Sequence, residues 1–213
     1  STWDVSNVTN MSNMFYEAKK FNINIGSWNV SNVTDMSYMF RSAELFSKNI
    51  SNWDVSNVTD MNNMFAIASS FNININNWKT SNVKDMSHMF YATNKFNKNI
   101  GNWDVSNVTN MEHMFLQAFA FNTDISSWVV DSVTDMNQMF QDAQFFNKNI
   151  SSWVVDSVTD MEQMFQDANR FNQDITTWSV RSDAVLTNMF RDANLMLNKQ
   201  GASITPDSNY FNQ

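Results

Sequence analysis

Apolar and polar positions follow one short cycle that recurs along the chain. In the cycle that starts at Trp28, Trp28 and Val30 alternate with Asn29 and Ser31, a period of two that predicts a strand of about three to six residues. The chain bends at Asn32 and Val33. Met36, Met39, Phe40 and Ala43 then fall at i, i+3, i+4 and i+7, the apolar stripe of a helix. Thr34 reads as its N-cap. Thr109 with Glu112 and Thr159 with Glu162 read as capping boxes, and Asp35, Asp60, Asp85, Asp135 and Asp160 as charges at the positive end of the helix dipole. Phe46 and Ile50 return to the apolar side before Trp53 opens the next cycle, and the polar pair Ser47 and Asn49 between them reads as a bend whose side chains stack into ladders.

The cycle is 25 residues long and is kept without insertion at Trp3, Trp28, Trp53, Trp78, Trp103, Trp128, Trp153 and Trp178. A period of this length is the sequence mark of a solenoid, where each unit buries its apolar face against its neighbours. The expected fold class is α/β: a right-handed solenoid of eight 25-residue strand–helix coils, with a parallel sheet on one side and helices on the other. It spans residues 1–200 as a single body, with residues 201–213 as a C-terminal cap or tail. The pattern decays from Arg181 onward, where Asp183, Met196, Leu197 and Gln200 depart from it, as a wettable terminal repeat requires. Ser1 and Thr2 match the residues that precede other tryptophans, so the chain reads as a fragment of a longer surface protein with its secretion signal and anchor elsewhere.

Composition narrows the chemistry. A net charge of −8 and a pI near 4.5 speak against nucleic acid, which asks for clustered Lys and Arg. The absence of cysteine excludes disulfides, thiolate catalysis and thiolate metal sites. No apolar run is long enough to span a membrane. No serine, histidine and carboxylate fall together in the repeat and no nucleotide loop is present, so no enzyme is expected.

The outward strand positions form the expected binding face. Lys79 and Asp104 lie on it, and Val129 and Val154, flanked by Asp131 and Asp156, make a local apolar patch that is the expected contact point. The tryptophan column reads as core rather than a sugar platform, since Trp53 shares parity with Val55. His88 and His113 share a repeat position in adjacent coils with Glu112 beside them, but the position also holds Asn13, Tyr38, Asn63 and Gln138, which suits a solvated helix face, and no metal or other cofactor is expected. The aspartate and asparagine columns lack the glycine-rich wording of calcium-binding rolls and read as backbone capping. The threonine column raises ice binding, which N-capping explains better.

The wording WDVSNVTDM, then MF, then FNINI (FNQDI at Phe171) resembles the BspA-like or DUF285 repeat of bacterial surface lipoproteins, such as those of mycoplasmas and Listeria. The resemblance covers the chain to about Met196. It implies a leucine-rich-repeat-like solenoid displayed outside the cell, with adhesion or ligand binding as its role and no catalytic residues to carry over. The expected function is a non-catalytic cell-surface or secreted module that recognises a host or neighbouring-cell protein or glycan through its sheet face. End-to-end self-association into a fibre or coat is the alternative, with ice or carbohydrate binding more remote.

Overall fold

The computed structural model describes residues 3–211. Ser1 and Thr2, read above as the tail of a preceding coil, lie outside them, as do Asn212 and Gln213 of the expected tail. Successive repeats lie on one another in register: Asn10, Asp35, Asp60, Asp85, Asn110, Asp135, Asp160 and Val185 form a single file of parallel bridges from each repeat to the next.

The α/β architecture is corrected by this geometry. Among the described residues there is no sheet, only that file of isolated bridges, and the helices expected over the Met-Phe segments are absent. The repeat starting at Trp53 shows why. Its presumed strand is bracketed by tight turns, Trp53 N–H donating to Ile50 C=O (3.1 Å) and Val58 N–H to Val55 C=O (2.9 Å), so it makes no ladder with its neighbours. In the presumed helix, alternate amides go to different partners. Met64, Ala66 and Ala68 close turns onto Met61, Asn63 and Phe65 at 3.0–3.2 Å, whereas Met61, Asn63, Phe65 and Ile67 donate to Asp85, Ser87, Met89 and Tyr91 in the next repeat at 2.7–3.0 Å. Beyond its first turn an α-helix would spend such donors inside the segment. The left-handed residues Asn63 (φ 55°) and Ile67 (φ 60°), and their equivalents in the other repeats, swing every second amide outward.

The threonines and acids therefore do other work than helix capping. Thr59 Oγ1 donates to Thr34 C=O one coil back (3.2 Å), and Thr109 to Lys84 C=O (3.3 Å). Asp60 Oδ1 accepts the amide of Asn62 (2.9 Å), a local turn that Asn110 reproduces with Glu112 (2.9 Å). Side chains also satisfy backbone carbonyls that a sheet would have paired: Asn57 Nδ2 donates to Ser31 C=O (2.8 Å) and Asn82 to Ser56 C=O (2.7 Å).

The apolar pattern is nevertheless buried as a stripe. Met61, Met64, Phe65, Ala68, Phe71 and Ile75 are fully enclosed, as are their equivalents through Phe171 and Ile175. Phenylalanines stack along the column, Phe65 on Phe90 at 5.9 Å and Phe90 on Phe115 at 5.6 Å. Trp28 to Trp178 are buried, and Trp78 lies on Trp103 at 6.4 Å with rings 4° apart. Trp3 is the exception at 64% exposed.

The last repeat is closed by its own continuation. The amides of Asn188 and Phe190, which in earlier repeats would reach the next coil, instead meet Thr205 Oγ1 (2.8 Å) and Ile204 C=O (3.0 Å). Helix α1 (Asn194–Lys199) buries Met196 on the way, and Phe211 stacks on Trp178 at 6.4 Å.

Candidate functional site

The residues singled out from sequence occupy two exposed repeat positions. Lys79, Asp104, Val129 and Val154 share one column, and Asp131 and Asp156 share the column two residues on; all six are exposed, Val129 by 52% and Val154 by 46%. Lys79 and Asp104 border a shallow depression of about 380 Å³ with Trp78, Thr80 and Asn102. The Ser106 hydroxyl (2.6 Å) and amide (3.1 Å) on Asp104 hold its carboxyl below the usual carboxylate range. These residues lie on a face built of turns, not on a sheet, where Thr80 Oγ1 donates to Asp104 C=O of the next coil (2.8 Å).

A second locus concentrates more chemistry. Two columns, one carrying the left-handed residue of each repeat and one three residues on, bring Tyr16, Tyr38, Arg41, Asn63, His88, Tyr91, His113 and Leu116 around an open groove of about 450 Å³. Tyr16 and Tyr38 lie 6.4 Å apart at a tilt, and Arg41 sits over the Tyr38 ring at 5.7 Å while donating to Asn63 Oδ1. Tyr91 meets His88 edge-on at 6.2 Å, and His88 lies on His113 at 4.4 Å. Burial pushes His88 down to about 4, with the His113 ring and the Arg41 guanidinium adding and Asp85 opposing, so the imidazole is neutral at pH 7.

Left-handed φ is what aims these side chains. Tyr38 (57°), His88 (56°) and His113 (56°) would stand on a solvated face of a helix; in the turn run they lean over the neighbouring repeat. Of this groove, the sequence singles out only the two histidines. The signal for the rest was substitution at fixed positions: Tyr38 and His88 where other repeats carry Asn63 or Gln138, Tyr16 and Tyr91 where others carry Ala66 or Gln141.

No curated relative and no solved structure matches the chain. A family model described as Mycoplasma protein of unknown function, DUF285, matches residues 1–103 and, in a second overlapping copy, residues 84–202. With nearly all of the repeat array matched, the chain belongs to the DUF285 family.

Proposed function

We propose that this chain is a non-catalytic recognition module of a surface-displayed protein, binding a protein or glycan through the groove of Tyr16, Tyr38, Arg41, His88 and Tyr91. The observation that carries this reading is the convergence of those tyrosine, arginine and histidine side chains on one groove, at positions where other repeats carry Asn63, Ala66, Gln138 or Gln141. Rigid aromatic and arginine side chains give large contact area for little conformational entropy, and such residues dominate binding hot spots. Tyrosine rings and a guanidinium suit either a sugar face or a peptide with an acidic group. The row from Lys79 to Val154 serves as an accessory contact, its two valines supplying the only departure from polar side chains in that column.

The test is a glycan array together with binding to intact cells, using wild-type protein, a Tyr38→Ser/Tyr91→Ser variant and a Val129→Asp/Val154→Asp variant. Loss of capture in the tyrosine variant, at unchanged far-UV dichroism, supports the groove. Unaltered capture in the tyrosine variant with loss in the valine variant moves the contact to the other face, and no capture by wild-type protein removes the recognition reading.

A further inference from the structure

The geometry points to a divalent-metal site at His88, Glu112 and His113, suited to a late first-row ion such as zinc. One ring nitrogen of each histidine and one carboxylate oxygen lie within 4.8 Å of one another. A zinc ion with bonds of about 2.0–2.2 Å needs its donors about 3–4 Å apart, a closing that side-chain rotation supplies.

The hydrogen bonds around His113 show which of its atoms is free to ligate. Gln138 Nε2 donates to Gln163 Oε1 (2.8 Å), which fixes the Gln138 amide and turns its Oε1 toward His113 Nε2 (2.9 Å). An oxygen acceptor there places the imidazole proton on Nε2 and leaves the lone pair on Nδ1. That Nδ1 is buried and lies 3.0 Å from Glu112 Oε1, off the direction a hydrogen bond requires, so it has no hydrogen-bond partner. A lone pair facing a carboxylate oxygen is a repulsive pair that a cation between them turns into an attractive one. The amide on the far ring nitrogen is the kind of outer partner that orients metal-bound histidines.

His88, stacked on His113 with rings 22° apart, brings the third donor. Two imidazoles and one carboxylate are a donor set for zinc, cobalt, nickel or copper rather than for calcium or magnesium. The His88 and His113 rings line the groove, which leaves a fourth position open to water or to a ligand group. Arg41 works against a cation here, while Asp85, which also acts on His88, works for it. The inference does not depend on the recognition reading, because ion binding is measured directly.

Zinc chloride is titrated calorimetrically into tag-free protein, and cobalt(II) absorption is followed in parallel. The repeat supplies benign replacements: Gln138 and Gln163 stand at the histidine position, and Asn62 and Asn137 at the Glu112 position. His88→Gln, His113→Gln and Glu112→Asn are therefore expected to fold. Saturable uptake of one zinc per chain is expected, weakened on the order of 10-fold or more by each substitution and less steeply by Gln138→Ala. A tetrahedral cobalt spectrum is expected in wild-type protein and is lost in the three ligand substitutions. Absence of saturable binding, or an affinity unchanged by both histidine substitutions, overturns the site; an affinity unchanged by Glu112→Asn overturns the three-ligand assignment.

Discussion

The indole Nε1 of Trp103 donates a 3.0 Å hydrogen bond to the carbonyl of Ile75, 28 residues earlier and one coil below. The same bond joins Trp53 to Ile25, Trp78 to Ile50, Trp128 to Ile100, Trp153 to Ile125 and Trp178 to Ile150 at 3.1–3.3 Å. With no sheet to pair these carbonyls, the indole is the cross-coil donor. Trp103→Phe keeps most of the apolar surface but removes this cross-coil bond, leaving Ile75 C=O with the Trp78 amide (3.1 Å) alone. A loss of about 1–2 kcal/mol is expected, read as a lower urea midpoint, from the lost hydrogen bond and the smaller ring together. A midpoint equal to that of wild-type protein would mean that the indole acts by packing alone.

The Met-Phe segment holds a β-branched residue where few are tolerated. Ile67 has φ 60°, in the left-handed region that costs an L-residue roughly 1–2 kcal/mol. Other repeats place Asp142, Asp167 and Asp192 there, side chains that tolerate this region better. Ile67→Gly is expected to raise stability by about 1 kcal/mol despite the larger entropy of the unfolded chain. If the substitution destabilises the protein, the packing of this half-buried isoleucine outweighs its backbone strain.

These two features mark where the sequence was legible and where it was not. The 25-residue register, the burial of Met61, Met64, Phe65 and Ala68, and the inward parity of Trp53 and Val55 all follow from the apolar pattern. The backbone does not, because a run of turns with one left-handed residue in four points i, i+3, i+4 and i+7 to one side just as a helix does. The tie was breakable. The left-handed column holds Asn13, Asn63, His88, His113 and Asn188, and the second one Asp142, Asp167 and Asp192, residue types enriched at positive φ. A helix has no reason to keep such a column, whereas Thr59 at an apparent N-cap position misled by donating to the preceding coil instead. The groove was harder to see, since its members come from five repeats and two columns that coincide only once the coils stack.

The aspartates of the bridge file are stacked close enough to disturb one another. Burial raises the Asp60 carboxyl above its ordinary value, with Asp85 and Asp35 adding and the Asn62 amide opposing. A carboxyl whose folded value is raised holds its proton more tightly folded than unfolded. Its contribution is fully present below the unfolded value of about 3.9 and is lost as pH climbs through the raised folded value. Asp60→Asn keeps the acceptor for the Asn62 amide, as Asn110 does for Glu112, and removes the charge. It is expected to stabilise the protein at pH 7 by less than about 1 kcal/mol, given solvent screening, and to change nothing near pH 3. Urea midpoints at the two pH values decide it; equal gains at both would assign the effect to something other than ionisation.

Because nearly every bond reaches only the adjacent coil, the array should tolerate loss of a whole repeat but not of a fraction. Ser126–Met136 and Ser151–Met161 have the same sequence, so deleting residues 129–153 joins Trp128 to Val154 with each junction residue in its own column. The indole of Trp128 keeps its acceptor at Ile100, and Met111 regains a partner of the same kind when Asp160 takes the place of Asp135. Stability is then expected to fall only by one repeat's intrinsic and interface contribution, as in a one-dimensional array. Deleting residues 129–152 instead shifts everything beyond Trp128 by one position. Left-handed turns would fall on Glu162 and Gln166 in place of Gln163 and Asp167, Asp160, Gln163 and Asp167 would take the buried places of Met136, Met139 and Ala143, and Met161 and Phe165 would turn out of the core. Cooperative unfolding by circular dichroism in the 25-residue deletion, and its loss in the 24-residue deletion, are the expected outcomes. Equal tolerance of both would show that the coils are not locked by this register.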